Sequence, residues 1–217
     1  FGDVTVKMRN VLRLHGQKRK PIATRMAMLF LNITDPSTIK LMRKVMIQWG
    51  YAGQRLGYRI ANRLGLLSNR RRPKGSTGKM AVKEQVINFV KRPLPSGLPS
   101  QTTRGMLGLE DDKVIPILRN PRLNQENTDE QEAVFYFPGC GSERLFSDVG
   151  LATLTMLYKT GAQTVLPPGY LCCGYPQSAG GDDVKGKRIT TDNQVLFHRV
   201  ANTLNYMDIK TVIVSCG

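Results

Sequence analysis

Four cysteines are the residues of this chain best suited to chemistry, and their spacing is distinctive. Cys172 and Cys173 are adjacent and precede Gly174. Cys140 comes earlier, with 31 residues between it and the pair, and Cys216 follows the pair after 42 residues. Thiolates bind zinc or iron–sulfur clusters, whereas paired thiols can form disulfides. The chemistry therefore depends on whether the fold brings the four thiols together.

Each cysteine element directly follows a short β-prone run, at residues 133–137, 163–166 and 211–214. Apolar residues at helical spacing predict a helix over 148–159 and another that begins at Asp192, which we expect to be its cap. A β-α-β-α-β order predicts an α/β fold with a small parallel sheet flanked by helices. Sites in such sheets form at the carboxyl ends of the strands. We therefore expect Cys140, Cys172, Cys173 and Cys216 at one edge.

Several interpretations of these thiols compete. They could be buried free cysteines, since free cysteine is among the most buried residue types. A disulfide between Cys172 and Cys173 would be strained. Zinc is an alternative, although adjacent ligands are unusual for its paired spacing, and an iron–sulfur cluster is favoured. Without a secretory signal, four cysteines favour a metal over a disulfide framework. The glycines at 139, 141, 174 and 217 would allow tight turns and close backbone approach to a bulky centre.

Positive charge is concentrated in the first part of the chain. The net charge is +16; residues 1–92 contain 21 Lys or Arg against 3 Asp or Glu, and residues 93–217 contain 11 against 13. An acidic partner is therefore expected for the first part alone. Acidic surfaces of other domains or subunits are favoured, and anionic lipid is the second choice, with Trp49, Tyr51 and Tyr58 at its interface. Nucleic acid is not expected, because no recognised motif or aromatic stacking platform is present.

Three regions are predicted. Residues 1–92 form a basic helical region, 93–131 an irregular linker or strap, and 132–217 a cysteine-rich domain. In the first region, Asp3 and Asp35 are expected to cap helices and Gly50 to end one, and the apolar stripes are expected to be core. A fourth helix is predicted over 52–64, where Gly53 and Gly57 indicate close packing against another helix. A loop over 67–78 and a short helix over 80–91 follow.

Cys140, Cys172-Cys173-Gly174 and Cys216-Gly217 resemble the cysteine-rich CCG domain. That domain occurs in heterodisulfide reductase and in the iron–sulfur subunits of glycolate, lactate and glycerol-3-phosphate dehydrogenases. The resemblance covers about residues 133–217. The family pattern closes with Cys-x-x-Cys, whose last cysteine would fall two positions beyond Gly217. With no initiator methionine at Phe1, we expect the chain to be a piece of a longer polypeptide.

The resemblance implies a 4Fe–4S cluster, non-cubane in some members, or zinc in others, with the four cysteines as ligands. The segment at Phe1 also looks like the one that follows a two-cluster ferredoxin domain. The parent would then resemble a large FAD-linked dehydrogenase of D-lactate or another D-2-hydroxy acid, which is cytoplasmic or peripheral on the inner face of the plasma membrane. Flavin and ferredoxin-type domains would be the partners of this segment, and quinone or another acceptor would take the electrons.

No residue is predicted to be catalytic, because neither an acid–base pair nor a Ser/His/Asp arrangement is evident in the sequence. Any turnover site, together with the FAD, is expected elsewhere in the parent oxidoreductase. The alternative from a different functional class is a non-redox assembly module. In that alternative the cysteines hold structural zinc and the basic helices form a docking surface.

Overall fold

In the computed structural model the chain forms two compact units. The first unit contains residues 1–40 and 101–217, and the second contains residues 41–100. The structure describes residues 2–17, 22–65, 93–94, 96–123 and 132–215. The predicted loop over 67–78 and the predicted helix over 80–91 lie outside these residues. None of the helices in the described part of the chain combines the length and apolar character needed to cross a bilayer.

The α/β prediction is confirmed by a four-stranded sheet in the first unit. In chain order the strands are β1 (Ile117–Leu118), β2 (Ala133–Phe137), β3 (Gln163–Val165) and β4 (Thr211–Val214). Their order across the sheet is β1-β3-β2-β4, with β2 parallel to both β3 and β4. These three parallel strands are the predicted ones. β1 pairs antiparallel with β3 and falls in the stretch predicted to be irregular.

In sequence, the helices of the described residues precede the sheet or lie between its strands. They are α1 (Gly2–Leu14), α2 (Ile22–Asn32), α3 (Pro36–Arg43), α4 (Gly50–Arg63), α5 (Thr103–Leu107), α6 (Ser147–Thr160), α7 (Tyr175–Ala179) and α8 (Asp183–Thr203). A π-helical segment, Lys44–Trp49, joins α3 to α4, and a π-helical turn, Gly141–Leu145, precedes α6. A 3-10 turn, Asn205–Met207, follows α8.

Strand β2 is the centre of the core, and all five of its residues are buried. Val134 and Tyr136 pack with Leu154 of α6 in one apolar cluster. Phe135 and Phe137 belong to a second cluster, with Val200 of α8. Because successive side chains of a strand point to opposite faces, α6 and α8 cover opposite faces of the sheet. The first strand of the β-α-β-α-β order thus lies between the other two, which puts the switch in strand order at the carboxyl end of β2.

Two of the predicted helix boundaries are wrong. Gly50 does not end a helix: its φ of −61° is right-handed, and the π-helical segment carries the chain from α3 into α4. A glycine inside a helix costs only about 1 kcal/mol, so it does not by itself stop one. Asp192 is not a cap, because α8 begins at Asp183 and Asp182 accepts a hydrogen bond from the Lys185 amide.

Of the two helix caps predicted near the start of the chain, one is confirmed and one is wrong. Asp35 is a cap as predicted, since its carboxylate accepts a hydrogen bond of 2.7 Å from the Thr38 amide. Hydrogen bonds from Ser37 and Thr38 lower the pKa of the Asp35 carboxyl to about 2. Asp3 lies inside α1 rather than before it, in the first turn, where its negative charge still suits the helix dipole.

The prediction that the N-terminal apolar stripes are core is wrong for much of their length. Phe30 and Ile39 are buried, but Met26, Trp49, Leu56 and Ile60 are each more than half exposed. The predicted close packing at Gly53 and Gly57 is also wrong for the described residues. A Cβ added at either glycine would meet no atom within 4 Å. Helical periodicity marks a possible buried face, but a face is buried only where another element covers it.

Candidate metal centre

Three of the four cysteines predicted as ligands lie at the carboxyl edge of the parallel strands. Cys140 follows β2 and directly precedes the π-helical turn, while Cys172 and Cys173 follow β3. Cys140 and Cys172 are buried, and Cys173 is half-buried. Cys216 lies outside the described residues. The strand before it, β4, ends beside β2, and the Ser215 amide donates to the Phe137 carbonyl at 3.4 Å.

No disulfide joins the three described thiols to one another, and Cys172 contacts both of the others. Cys172 is central, with side-chain hydrogen bonds to both Cys140 and Cys173. The hydrogen bond with Cys140 is the main cause that raises the pKa of the Cys172 thiol, and burial adds to it. The hydrogen bond with Cys172, followed by burial, raises the pKa of the Cys173 thiol. Without a metal, the Cys172 and Cys173 thiols therefore hold their protons at neutral pH, and a bound metal would release them.

A tight turn at Gly174 holds the cysteine pair against helices α7 and α8. Gly174 has a φ of +84°, and a Cβ there would lie 2.6 Å from the Gly186 carbonyl oxygen. Both the left-handed backbone and the close approach require glycine. Asn193 of α8 donates a hydrogen bond of 2.7 Å to the Cys172 carbonyl, and Thr190 donates to the Cys173 carbonyl at 3.3 Å. The backbone of both cysteines is thus fixed by α8.

The turn after Cys140 carries a fully buried arginine. Arg144 donates hydrogen bonds to the Phe30 and Leu31 carbonyls at 2.9 and 3.1 Å. Its guanidinium lies 5.5 Å from the ring centroid of Tyr170, two residues before the cysteine pair. Burial lowers the pKa of Arg144, while Glu143, Cys140 and Cys172 oppose this shift by attracting its positive charge. A buried cation therefore lies beside the thiols.

A second buried arginine forms an ion pair on the same side of the site. Arg104 of α5 pairs with Glu143 and donates to the Pro167 carbonyl at 2.7 Å. Arg104 and Glu143 are nearly inaccessible to solvent, with exposures of 1% and 2%. Burial raises the pKa of the Glu143 carboxyl, and Arg104 and Arg144 oppose that shift. The guanidinium of Arg104 also lies 5.8 Å from the ring centroid of Tyr170.

Residues 101–110 make hydrogen bonds both to Tyr170 and to the turn that follows Cys140. Thr102 caps α5 and makes a hydrogen bond of 2.6 Å with the Tyr170 hydroxyl. That hydroxyl donates to Glu110, whose carboxylate also pairs with Lys40 at 2.5 Å. Thr103 donates to the Ser142 carbonyl at 3.0 Å. The stretch predicted as a linker or strap thus ties the turn after Cys140 to the segment that leads into Cys172.

The described thiols match a metal centre in donor chemistry. Cys140 and Cys172 are buried, Cys173 is half-buried, and Cys172 contacts the other two at the carboxyl edge of β2 and β3. Sulfur donors of this kind suit zinc or an iron–sulfur cluster. Within the described ranges, no group of three or more His, Cys, Asp or Glu side chains is arranged to hold a metal ion. The centre therefore needs the fourth predicted ligand, Cys216, or a rearrangement of the three described thiols.

Sequence reasoning does not identify the polar residues around the thiols. It assigns no role to Arg104, Glu143 and Arg144, and none to Asn193. One signal is available for two of them, because Glu143-Arg144 comes soon after a strand that is wholly apolar and aromatic. A charged pair so close to a buried strand must be solvated by other buried groups. Nothing comparable marks Asn193, which lies within a polar helix.

One curated protein is similar to part of this chain. The probable glycolate oxidase iron–sulfur subunit of Bacillus subtilis (strain 168) is 29% identical over 87 residues, which is 40% of this chain and 18% of that subunit. The match therefore spans less than one fifth of the relative's length. No protein-family model matches the chain. No solved structure matches it either.

Proposed function

We propose that this chain is an electron-transfer segment with a thiolate-bound iron–sulfur centre. The observation that carries the proposal is the meeting of Cys140, Cys172 and Cys173 at one sheet edge, where β4, the strand that precedes Cys216 in the sequence, also ends. The similarity to a protein named as an iron–sulfur subunit supports it. When bound, such a centre supplies one-electron transfer.

The residues of the chain would bind, orient and shield that centre. Cys140, Cys172, Cys173 and Cys216 are its proposed ligands. Asn193 and the turn at Gly174 fix the backbone of the cysteine pair, so this part of the site is held in place before a metal arrives. The side chains of Cys140 and Cys172 are buried, which limits access of water. A rigid and shielded site lowers the reorganisation that accompanies electron transfer.

The proposed setting is a flavin-dependent dehydrogenase. Its substrate would be a 2-hydroxy acid such as glycolate or D-lactate, and its electrons would pass to quinone or another acceptor. The partners would be flavin and ferredoxin-type domains of the same polypeptide or complex. The basic first region would dock on their acidic surfaces, with anionic lipid as the alternative that salt-dependent liposome flotation tests.

The redox proposal is tested by anaerobic spectroscopy of the full chain as it occurs in the cell. We expect broad visible absorption that bleaches when dithionite is added and returns when a soluble quinone is added. The alternative, structural zinc in an assembly module, predicts no visible absorption and no response to either reagent, because zinc has no redox chemistry. That second result would overturn the proposed function.

A further inference from the structure

A buried positive charge lies against the thiol site, and the proposed ligand role of the cysteines does not account for it. Arg144 has an exposure of 0%. It occupies the turn that follows Cys140, and its guanidinium contacts the ring of Tyr170, which leads into Cys172. A buried charge is costly unless it is paired or hydrogen-bonded, so a leucine or methionine would be the cheaper filling for this position.

Two other cations near the site form ion pairs. Arg104 pairs with Glu143, and Lys40 pairs with Glu110. Arg144 has partners of its own, since it donates hydrogen bonds to two backbone carbonyls and Glu143 attracts its positive charge. The guanidinium of Arg144 also interacts electrostatically with Cys140 and Cys172 when these two residues are thiolates. Its charge can therefore stabilise the thiolates that a bound metal would produce at these two residues.

Metal centres held by four thiolates are anionic. Zinc with four thiolates carries a net negative charge, and so do iron–sulfur clusters with four cysteine ligands. In a buried site that negative charge is poorly solvated, so a fixed cation nearby stabilises it strongly. A cation also stabilises the reduced, more negative form of a redox centre more than the oxidised form, which raises the reduction potential.

We infer that Arg144 is the charge-compensating residue of the thiol site, with its guanidinium fixed by the Phe30 and Leu31 carbonyls so that it stabilises an anionic thiolate-bound metal centre. This inference rests on the proposed binding of a metal by the cysteines. Arg144 is a positioning and electrostatic residue and not a ligand. Its charge retains the metal and makes the centre easier to reduce.

Charge and hydrogen bonding can be separated by two substitutions. Arg144→Gln removes the charge and keeps an amide donor for the backbone carbonyls, whereas Arg144→Lys keeps the charge and loses the planar fork. The matched control is Arg199→Met, which removes one positive charge from an exposed position of α8. Circular dichroism establishes that each variant is folded before it is compared.

The first readout is the rate at which the protein loses its metal to an excess of a chelator such as EDTA. We expect Arg144→Gln to lose metal at least tenfold faster than the wild type, and Arg144→Lys and Arg199→Met to stay within about twofold of it. A purely structural role predicts that Arg144→Lys and Arg144→Gln both lose metal fast. That pattern, or an unchanged rate in Arg144→Gln, would overturn the inference.

The second readout is the midpoint potential of the centre in an anaerobic redox titration. A tenfold weaker one-electron reduction in Arg144→Gln corresponds to a potential about 59 mV more negative. An unchanged potential would count against the inference. If the wild type holds zinc and no sulfide, the proposed electron-transfer function fails. The chelator rates still decide the role of Arg144 in that case, so the two failures are distinguishable.

Discussion

Strand β2 and helix α4 both carry apolar side chains in the pattern expected of a buried element, but only the strand buries them. All five residues of β2 are buried, whereas Leu56 and Ile60 of α4 are 57% and 51% exposed. The strand lies between two parallel neighbours and between α6 and α8. The sequence pattern therefore identifies an apolar face, but that face is buried only where another element packs against it.

The largest effect is expected where the contrast in burial involves charge. Arg104→Met removes the cation that pairs with Glu143 and leaves a buried carboxylate. Breaking a buried ion pair in this way costs about 3–5 kcal/mol of unfolding free energy. Chemical denaturation measures the loss. The control is Lys187→Met, which breaks an exposed pair with Asp183 on α8 and should leave the denaturation midpoint unchanged.

The same variant has a predicted pH dependence. Burial already raises the pKa of Glu143, and without Arg104 the pKa rises further, so the folded variant binds a proton that the unfolded chain releases. Its stability should therefore fall as pH rises from the usual carboxyl range towards the raised folded pKa, and recover as pH is lowered. A loss of stability independent of pH would contradict a charge mechanism.

A matched pair of leucines tests the contrast in apolar burial. Leu154 of α6 packs against β2 with an exposure of 6%, and Leu56 of α4 has an exposure of 57%. Leu154→Ala should cost about 2–5 kcal/mol of unfolding free energy, because it opens a cavity in the core. Leu56→Ala should change it by less than about 0.5 kcal/mol. Equal losses in the two variants would show that α4 is covered after all.

Replacing either of two glycines by alanine should change the stability by a smaller amount and in opposite directions. Gly174→Ala places a Cβ in a left-handed conformation and 2.6 Å from the Gly186 carbonyl, which should cost about 1–3 kcal/mol. Gly53→Ala meets open space inside α4 and should stabilise the chain by about 0.5–1 kcal/mol. Thermal unfolding of both variants measures the difference, and a stabilised Gly174→Ala would contradict the close approach of the turn to α8.

The smallest effect is expected at the start of α3. Asp35→Ala removes the cap and should lower the unfolding temperature slightly at neutral pH. Because the folded pKa of Asp35 lies near 2, below its ordinary value of 3.8, its contribution is present above pH 4 and is lost as pH falls towards 2. The wild type and Asp35→Ala should therefore converge at acidic pH, and a constant gap would contradict the assignment.

The sheet could be predicted from the sequence because its strands carry local signals. The runs at 133–137 and 211–214 have the observed boundaries, and the helix predicted over 148–159 is α6, Ser147–Thr160. The edge strand Ile117–Leu118 could not be predicted, since two residues give no period and their pairing with β3 is a tertiary effect. The exposed faces of the N-terminal helices could not be predicted, because helical periodicity does not show whether another element covers a face.

The candidate site could be predicted in outline only. Cysteine spacing after three strands places Cys140 beside the pair, which the hydrogen bonds of Cys172 bear out. The position of Cys216 in the site stays a prediction. The surrounding charges could not be predicted, because Arg104 reaches Glu143 across 39 residues and Arg144 reaches the Phe30 carbonyl across 114. Contacts over such distances depend on the fold and not on local pattern.

The proposed iron–sulfur centre is tested most directly by measuring the iron and acid-labile sulfide bound per chain. The comparison is between the wild type and Cys172→Ser, both prepared without oxygen, with Met156→Ser on the exposed face of α6 as control. We expect iron and sulfide together in the wild type and in the control, and a loss of both in Cys172→Ser. Zinc without sulfide in the wild type, or full iron and sulfide in Cys172→Ser, would contradict the claim.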